Sequence, residues 1–192
     1  NLQFSATTGA DGTFAVDVGV ANYAFEVVAV GGTEVDLATG ATIAHPNLEL
    51  TAMLLDFQLD EKRAAVISPF STLAAKAAAH RLAVGKDSSF YDAHRQALAD
   101  ISTHFLQVDD VTRGHLAGVL ETPQTSPVSD VKLAVAVGAL SGLAKAIATD
   151  SSLSPQQVNA ETVLDAWVAD LTSAPDALFD GHGAGGESRR LV

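Results

Sequence analysis

The spacing of apolar residues changes once along this chain, near Ile67, from a period of two to the period of a helix. Such a switch predicts an α+β fold, with a β part first and a helical part after it. In the first part Phe14, Val16 and Val18 alternate with Thr13, Ala15 and Asp17, and Tyr23, Phe25 and Val27 alternate with Ala24, Glu26 and Val28. Alternation of this kind suits half-buried strands. Asp11-Gly12 and Gly31-Gly32 separate the runs, where tight hairpin turns need residues that tolerate positive φ. Gly40 closes the polar segment 36–39, His45-Pro46-Asn47 marks a further turn, and Leu48, Leu50, Ala52 and Leu54 resume the alternation. A short β-like run follows at 64–67. The strands are few and short, so they predict an incomplete antiparallel sandwich.

Beyond Ile67, alanine replaces β-branched residues. Ser68-Pro69 reads as an N-cap followed by proline at the first helical position, where the missing N–H costs nothing. Phe70, Leu73, Ala74, Ala77, Arg81 and Leu82 trace the first helical stripe, which stops at Gly85. Asp87 or Ser88 is expected to cap a second helix carrying Phe90, His94, Ala97, Leu98, Ile101 and Phe105 inward, as far as about Gln107. A short helix is expected over 111–120, interrupted at Gly114 and Gly118. Residues 128–148 are apolar almost all round, which predicts a central helix, and Gly138 and Gly142 would let another helix backbone approach it. Ser154, Pro155 and Gln157 read as a capping box before a last helix with Leu164, Trp167, Val168 and Leu171 on one face. The expected organisation is a β-sandwich-like module over 1–67, a helical domain of four to five helices over 68–180, and a Gly-rich tail or linker over 181–192.

Composition narrows the function. Eleven basic against 23 acidic side chains give a net charge of −12, and the basic residues are scattered singly, which argues against nucleic-acid binding. Without cysteine there are no disulfides, thiolate metal sites or cysteine nucleophiles. The most apolar stretch, 131–148, is bracketed by Lys132 and Lys145, so a buried core helix is expected there and not a membrane span. Leu2, Phe4 and Ala6 alternate from the first residues as if in mid-strand, and the last residues follow a glycine-rich stretch. A fragment of a longer polypeptide is expected.

Four segments together carry a resemblance. Thr8-Gly9-Ala10-Asp11-Gly12-Thr13-Phe14 resembles a Thr-x-x-Asp-Gly-x-Phe hairpin, and 28–33 contains the Gly31-Gly32 pair. Ser68-Pro69-Phe70-Ser71-Thr72-Leu73-Ala74-Ala75 resembles Thr-Pro-Leu-Thr-Thr-Leu-Ala. Residues 176–181 resemble a closing Asp-Gly-x-x-Asp-Gly, with Ala177 in place of the first glycine. In order and spacing they are similar to bacterial cell-surface lipoproteins and adhesin-like proteins, which join a carboxypeptidase-regulatory-like or Ig-like β module to an Ala-rich helical domain. The resemblance implies an exported, cell-surface protein with a binding or scaffolding role, further strands before Asn1, and no catalytic residues to carry over.

Chemical candidates are sparse. Gly138-Ala139-Leu140-Ser141-Gly142 has one residue too many for a nucleophile elbow and falls within a helix, so Ser141 is assigned to packing. No two histidines have metal-binding helical spacing. His94 falls on an apolar stripe, where a hydrogen-bonded core-edge residue is expected. His104 follows Asp100 by one helical turn, the spacing of a surface pair. Asp11 with Asp17, and Asp176 with Asp180, are the calcium candidates, since carboxylates are hard oxygen ligands. Neither pair has EF-hand spacing, and turn formation alone accounts for Asp-Gly. No other cofactor is expected.

The function expected is therefore a non-catalytic structural or interaction module of an exported surface protein. Its partner would be a protein or a cell-envelope component, or a second copy joined through strand edges. The alternative is an accessory or substrate-binding region of a secreted hydrolase whose catalytic domain lies elsewhere. A small enzyme using His94 or His104 is a third reading.

Overall fold

In the computed structural model, which describes residues 3–19, 23–57, 65–106, 128–154 and 156–173, four strands precede four α-helices, an α+β fold. Strands β1 (Tyr23–Val30), β2 (Thr33–Val35), β3 (Thr42–Ala44) and β4 (Glu49–Phe57) pair as β1 with β4 and β2 with β3, both antiparallel. Between the two pairs Gly31 N–H donates to Leu48 O, and His45 N–H donates to Gly32 O. The result is one interrupted two-stranded ribbon. Gly31-Gly32 is therefore an interruption of the ribbon and not the expected hairpin turn. The turn between paired strands is the 36–40 loop, where Asp36, 3% exposed, accepts from the N–H groups of Ala38 and Thr39 and from the Thr39 hydroxyl.

The strands expected at 13–18 and 64–67 do not form among the described residues. Asp11-Gly12 does turn the chain, with Gly9 N–H donating to Thr13 O, but the flanking residues are exposed, Phe14 and Val18 half-buried, and none is in a strand. Alternation makes a strand only where a neighbour supplies the hydrogen bonds. Two facing sheets of a sandwich are not present among the described residues.

Helix α1 (Pro69–Ala83) occupies the centre, packing against β4, α2 and α4. Its alanines at 74, 75, 77 and 78 are all buried, and small side chains let three neighbours approach it closely. Its start is fixed by a reciprocal cap: Ser68 Oγ accepts from Ser71 N–H, and Ser71 Oγ accepts from Ser68 N–H. The same turn binds the sheet. Thr51 N–H donates to Thr72 Oγ1, and Ser71 Oγ donates to Thr51 O, so helix hydroxyls satisfy the outer edge of β4 at Thr51. Gly85, at φ 71°, ends the helix as expected.

Helix α2 (Phe90–Ile101) is capped by Ser89, one or two residues later than anticipated, because Ser89 Oγ is the acceptor that reaches Asp92 N–H. A π-helical turn, Ser102–Leu106, continues it and brings Phe105 within 5.4 Å of Phe70 and 5.1 Å of Trp167, ring centre to ring centre. The helix expected over 111–120 lies outside the described residues.

Helix α3 (Val128–Ser151) is not surrounded, contrary to expectation. Leu133, Leu140, Ala144 and Ala148 are buried, while Val135 is 66% exposed. By length and hydropathy alone its segment Val131–Ser151 could cross a membrane, a test that core helices also pass. Among the described residues no helix backbone sits on its glycines: a Cβ at Gly138 would meet the tip of Leu37, and one at Gly142 would meet nothing within 4 Å. The ribbon's 36–40 turn docks there instead, with Lys145 Nζ donating to Ala38 O. Helix α4 (Ala160–Ser173) starts later than expected. Ser154 and Gln157 do bond to each other, but they close a turn. The cap is Asn159, whose Oδ1 accepts from Thr162 N–H while Thr162 Oγ1 accepts from Asn159 N–H.

Candidate functional site

Two local features turn polar residues inward at one place. In β1 the exposed side chains are even-numbered, including Val28 and Val30; in β2 they are odd-numbered, Thr33 and Val35. Gly31 and Gly32, at φ 70° and 129°, adopt backbone conformations that shift the phase between them. Glu34 therefore points to the helices. On β3 the same alternation buries Ile43 and carries on to His45, which is 2% exposed.

His45 sits between two carboxylates. Its Nδ1 is 2.7 Å from Glu161 Oε2, in the first turn of α4, and its Nε2 is 3.1 Å from Glu34 Oε1 on β2. The first contact is a hydrogen bond, which makes Nδ1 the protonated nitrogen in neutral imidazole. The second is an ion-pair contact that a proton on Nε2 completes, and both Nε2 and Glu34 Oε1 are buried without another hydrogen-bond partner. Burial pulls the His45 pKa down, but hydrogen bonding to Glu161 and Glu34 and their negative charges more than reverse this, leaving it above its usual 6.5. Burial, with Glu161 one turn earlier, pushes the Asp165 carboxyl up.

These groups border a cavity of about 170 Å³. The ribbon contributes Glu34, His45, Leu48 and Leu50, and the entry to α1 contributes Ile67, Ser68 and Pro69. Val137, Leu140 and Ser141 come from α3, and Ala160, Glu161 and Leu164 from α4. Glu34 and His45 thus meet Glu161, 116 positions along the chain from His45, in a largely apolar pocket.

The chain matches no family model, no curated protein and no solved structure.

Of the residues singled out by sequence, Ser141 is 5% exposed and lines this cavity, but the two nitrogens of His45 are turned to carboxylates. His94 is buried on α2, stacked on Phe90 at 6.1 Å between ring centres. His104 is exposed, edge-on to Phe105, and Asp100 accepts from Arg81 and Gln96. Asp11 Oδ1 accepts from Thr13 N–H and Oγ1–H, and Asp17 Oδ1 accepts from Gly19 N–H. The Thr13 hydroxyl and N–H hold the Asp11 carboxyl below its usual range. Among the described residues no group of three or more His, Asp or Glu is placed to hold a metal ion. Asp176 and Asp180 lie outside the described residues. Sequence reasoning missed Glu34, His45 and Glu161. The alternation Ile43-Ala44-His45 was the available signal, obscured by reading His45-Pro46-Asn47 only as a turn.

The contact of His45 with Glu161 ties the ribbon to α4 and has a pH signature. A group whose pKa is raised by folding stabilises fully below its unfolded value, near 6.5, and loses that contribution as pH climbs through the higher folded value. Urea midpoints measured across this range should fall with rising pH more for the parent than for His45→Gln. Parallel curves would refute the coupling.

Proposed function

We propose that this chain is a non-catalytic structural or interaction module of an exported bacterial surface protein. The observation that carries the interaction role is a row of apolar side chains on the ribbon face turned away from His45 and Glu34. Val28, Val30 and Val35 are 42%, 72% and 60% exposed. Apolar side chains exposed along one ribbon suit a partner surface. The export and the bacterial surface setting rest on the four-segment resemblance.

The partner is a protein or cell-envelope component, and a second copy joined along the ribbon is its simplest form. Light scattering after size exclusion at micromolar concentration is expected to give a mass above 19.7 kDa. The Val30→Lys, Val35→Lys double variant should return it to the monomer. A monomeric parent removes self-association. Recovery of the protein in the cytosolic fraction, when produced from its complete coding sequence, removes the surface assignment.

A further inference from the structure

We propose that residues 33–44, the outer half of the ribbon, form a flap latched to the helices by the His45 imidazolium. Raising the pH releases the flap, which swings at the Gly31-Gly32 joint and opens the cavity beneath it. The device does not depend on the partner proposed for the ribbon's outer face.

The two halves of the ribbon are held differently. On the inner half, β4 packs against α1 and is bonded to it at Thr51. The outer half joins the inner one through two glycines at positive φ, with backbone bonds from Gly31 N–H to Leu48 O and from His45 N–H to Gly32 O. Glycine tolerates the rotations that a hinge needs. Beyond the joint, Lys145 reaches Ala38 O from α3, and the tip of Leu37 lies over Gly138. Both contacts are open to water. The buried polar tie to the helices is His45.

One cation serves a carboxylate on each side of the joint. Glu34 belongs to the flap and lies 3.1 Å from Nε2, while Glu161 belongs to α4 and lies 2.7 Å from Nδ1. With both nitrogens protonated, each carboxylate has an N–H facing it. Loss of the Nε2 proton keeps Nδ1–H on Glu161 but turns a lone pair toward Glu34, and the two carboxylates lose the charge between them. Attraction at Glu34 becomes repulsion. The other elements lining the cavity do not offset this: the entry to α1 and α3 contribute Ser68 and Ser141 as their polar residues, and Asp165, one turn beyond Glu161 on α4, is a further acid.

Deprotonation therefore favours the open flap, in which Glu34 and His45 regain water. Because the closed state holds the His45 pKa above its usual 6.5, the latch is complete below that value and is given up as pH climbs through the higher one. Opening takes Glu34 and His45 out of the wall of the cavity and bares Ile43 and Leu140, both buried when the flap is closed.

The chain has no cysteine, so an introduced thiol reports on one place. Ile43→Cys probes the inner face of the flap, Thr42→Cys its exposed face and Ile101→Cys the helical core. Each is followed by its rate with a charged disulfide reagent, and division by the Thr42→Cys rate removes the effect of thiol ionisation. Between about pH 6 and about pH 9 the ratio for Ile43→Cys is expected to rise about tenfold, the scale of one charge-assisted hydrogen bond lost. The rise should follow the NMR titration of the His45 ring, while Ile101→Cys stays protected. His45→Gln should flatten the ratio, and Glu161→Gln should raise it on the acid side. A parent-like rise in His45→Gln, or a rise shared by Ile101→Cys, which is unfolding of the whole chain, overturns the proposal. Leu140→Cys, on the helix side of the cavity, is a second probe that needs no change at the latch. A ratio that is flat or falls with pH at both Ile43→Cys and Leu140→Cys overturns the proposal even where His45→Gln fails to fold.

Discussion

A Phe70→Ala variant is expected to lose about 4 kcal/mol of unfolding free energy, the scale for deleting a buried aromatic ring. Phe70 is 2% exposed at the start of the central helix, with ring centres 5.4 Å from Phe105 and 6.3 Å from Trp167. The three rings join α1, the π-helical turn and α4, and small neighbours such as Ala74 and Ala77 cannot swing in to fill the space. Domains of this kind have only about 5–15 kcal/mol in total. The loss therefore consumes a large share of the stability. Trp167 is the only tryptophan, so its emission reports unfolding and, before unfolding, the local cavity. Phe70→Leu should cost under about 2 kcal/mol. Equal losses for Leu and Ala would show that shape at this position matters less than the contacts suggest.

Replacing Arg81 with leucine is expected to cost about 3 kcal/mol, the lower end for removing one partner of a buried ion pair. The guanidinium side chain is 7% exposed; its Nε lies 2.6 Å from Asp87 Oδ2 and its Nη1 3.3 Å from Asp100 Oδ2. Asp87 is 18% exposed and would keep a desolvated charge without its cation, whereas Asp100, at 44%, regains water. This asymmetry makes the pairing with Asp87 the larger of the two. Adding Asp87→Leu to Arg81→Leu should restore part of the loss, because an apolar pair needs no compensation for desolvation. Denaturant titration of the two single variants and the double variant measures it. Additive losses would contradict the coupling.

What could be read from the sequence follows from how local each signal is. Ser68-Pro69 marked the start of α1 correctly because the cap is made by Ser68 and Ser71, three residues apart. Gly85 marked its end for the same reason. Ser154 and Gln157 misled because their bonds are real but close a turn, while Asn159 and Thr162 make the equivalent bonds five residues later. The apolar circumference of 128–148 suggested burial all round, yet hydropathy does not say how many neighbours arrive. Alanine-rich α1 took the central place because its small side chains let neighbours come close. The site was the least legible part. Glu161 meets His45 across 116 positions, and the inward turn of Glu34 depends on the phase shift at Gly31-Gly32.

The hydroxyls of Ser71 and Thr72 that occupy the edge of β4 at Thr51 give the ribbon a polarity of assembly. A fibre grows only if each subunit offers one free edge and accepts another, a head-to-tail arrangement. At Thr51 the outer side of β4 is already taken by the chain's own helix, so a second copy pairing along β4 would meet α1 there. Pairing β1 with its equivalent would use the same edge in both subunits, which closes the pair. In the self-association proposed above, growth along the ribbon would then stop at two.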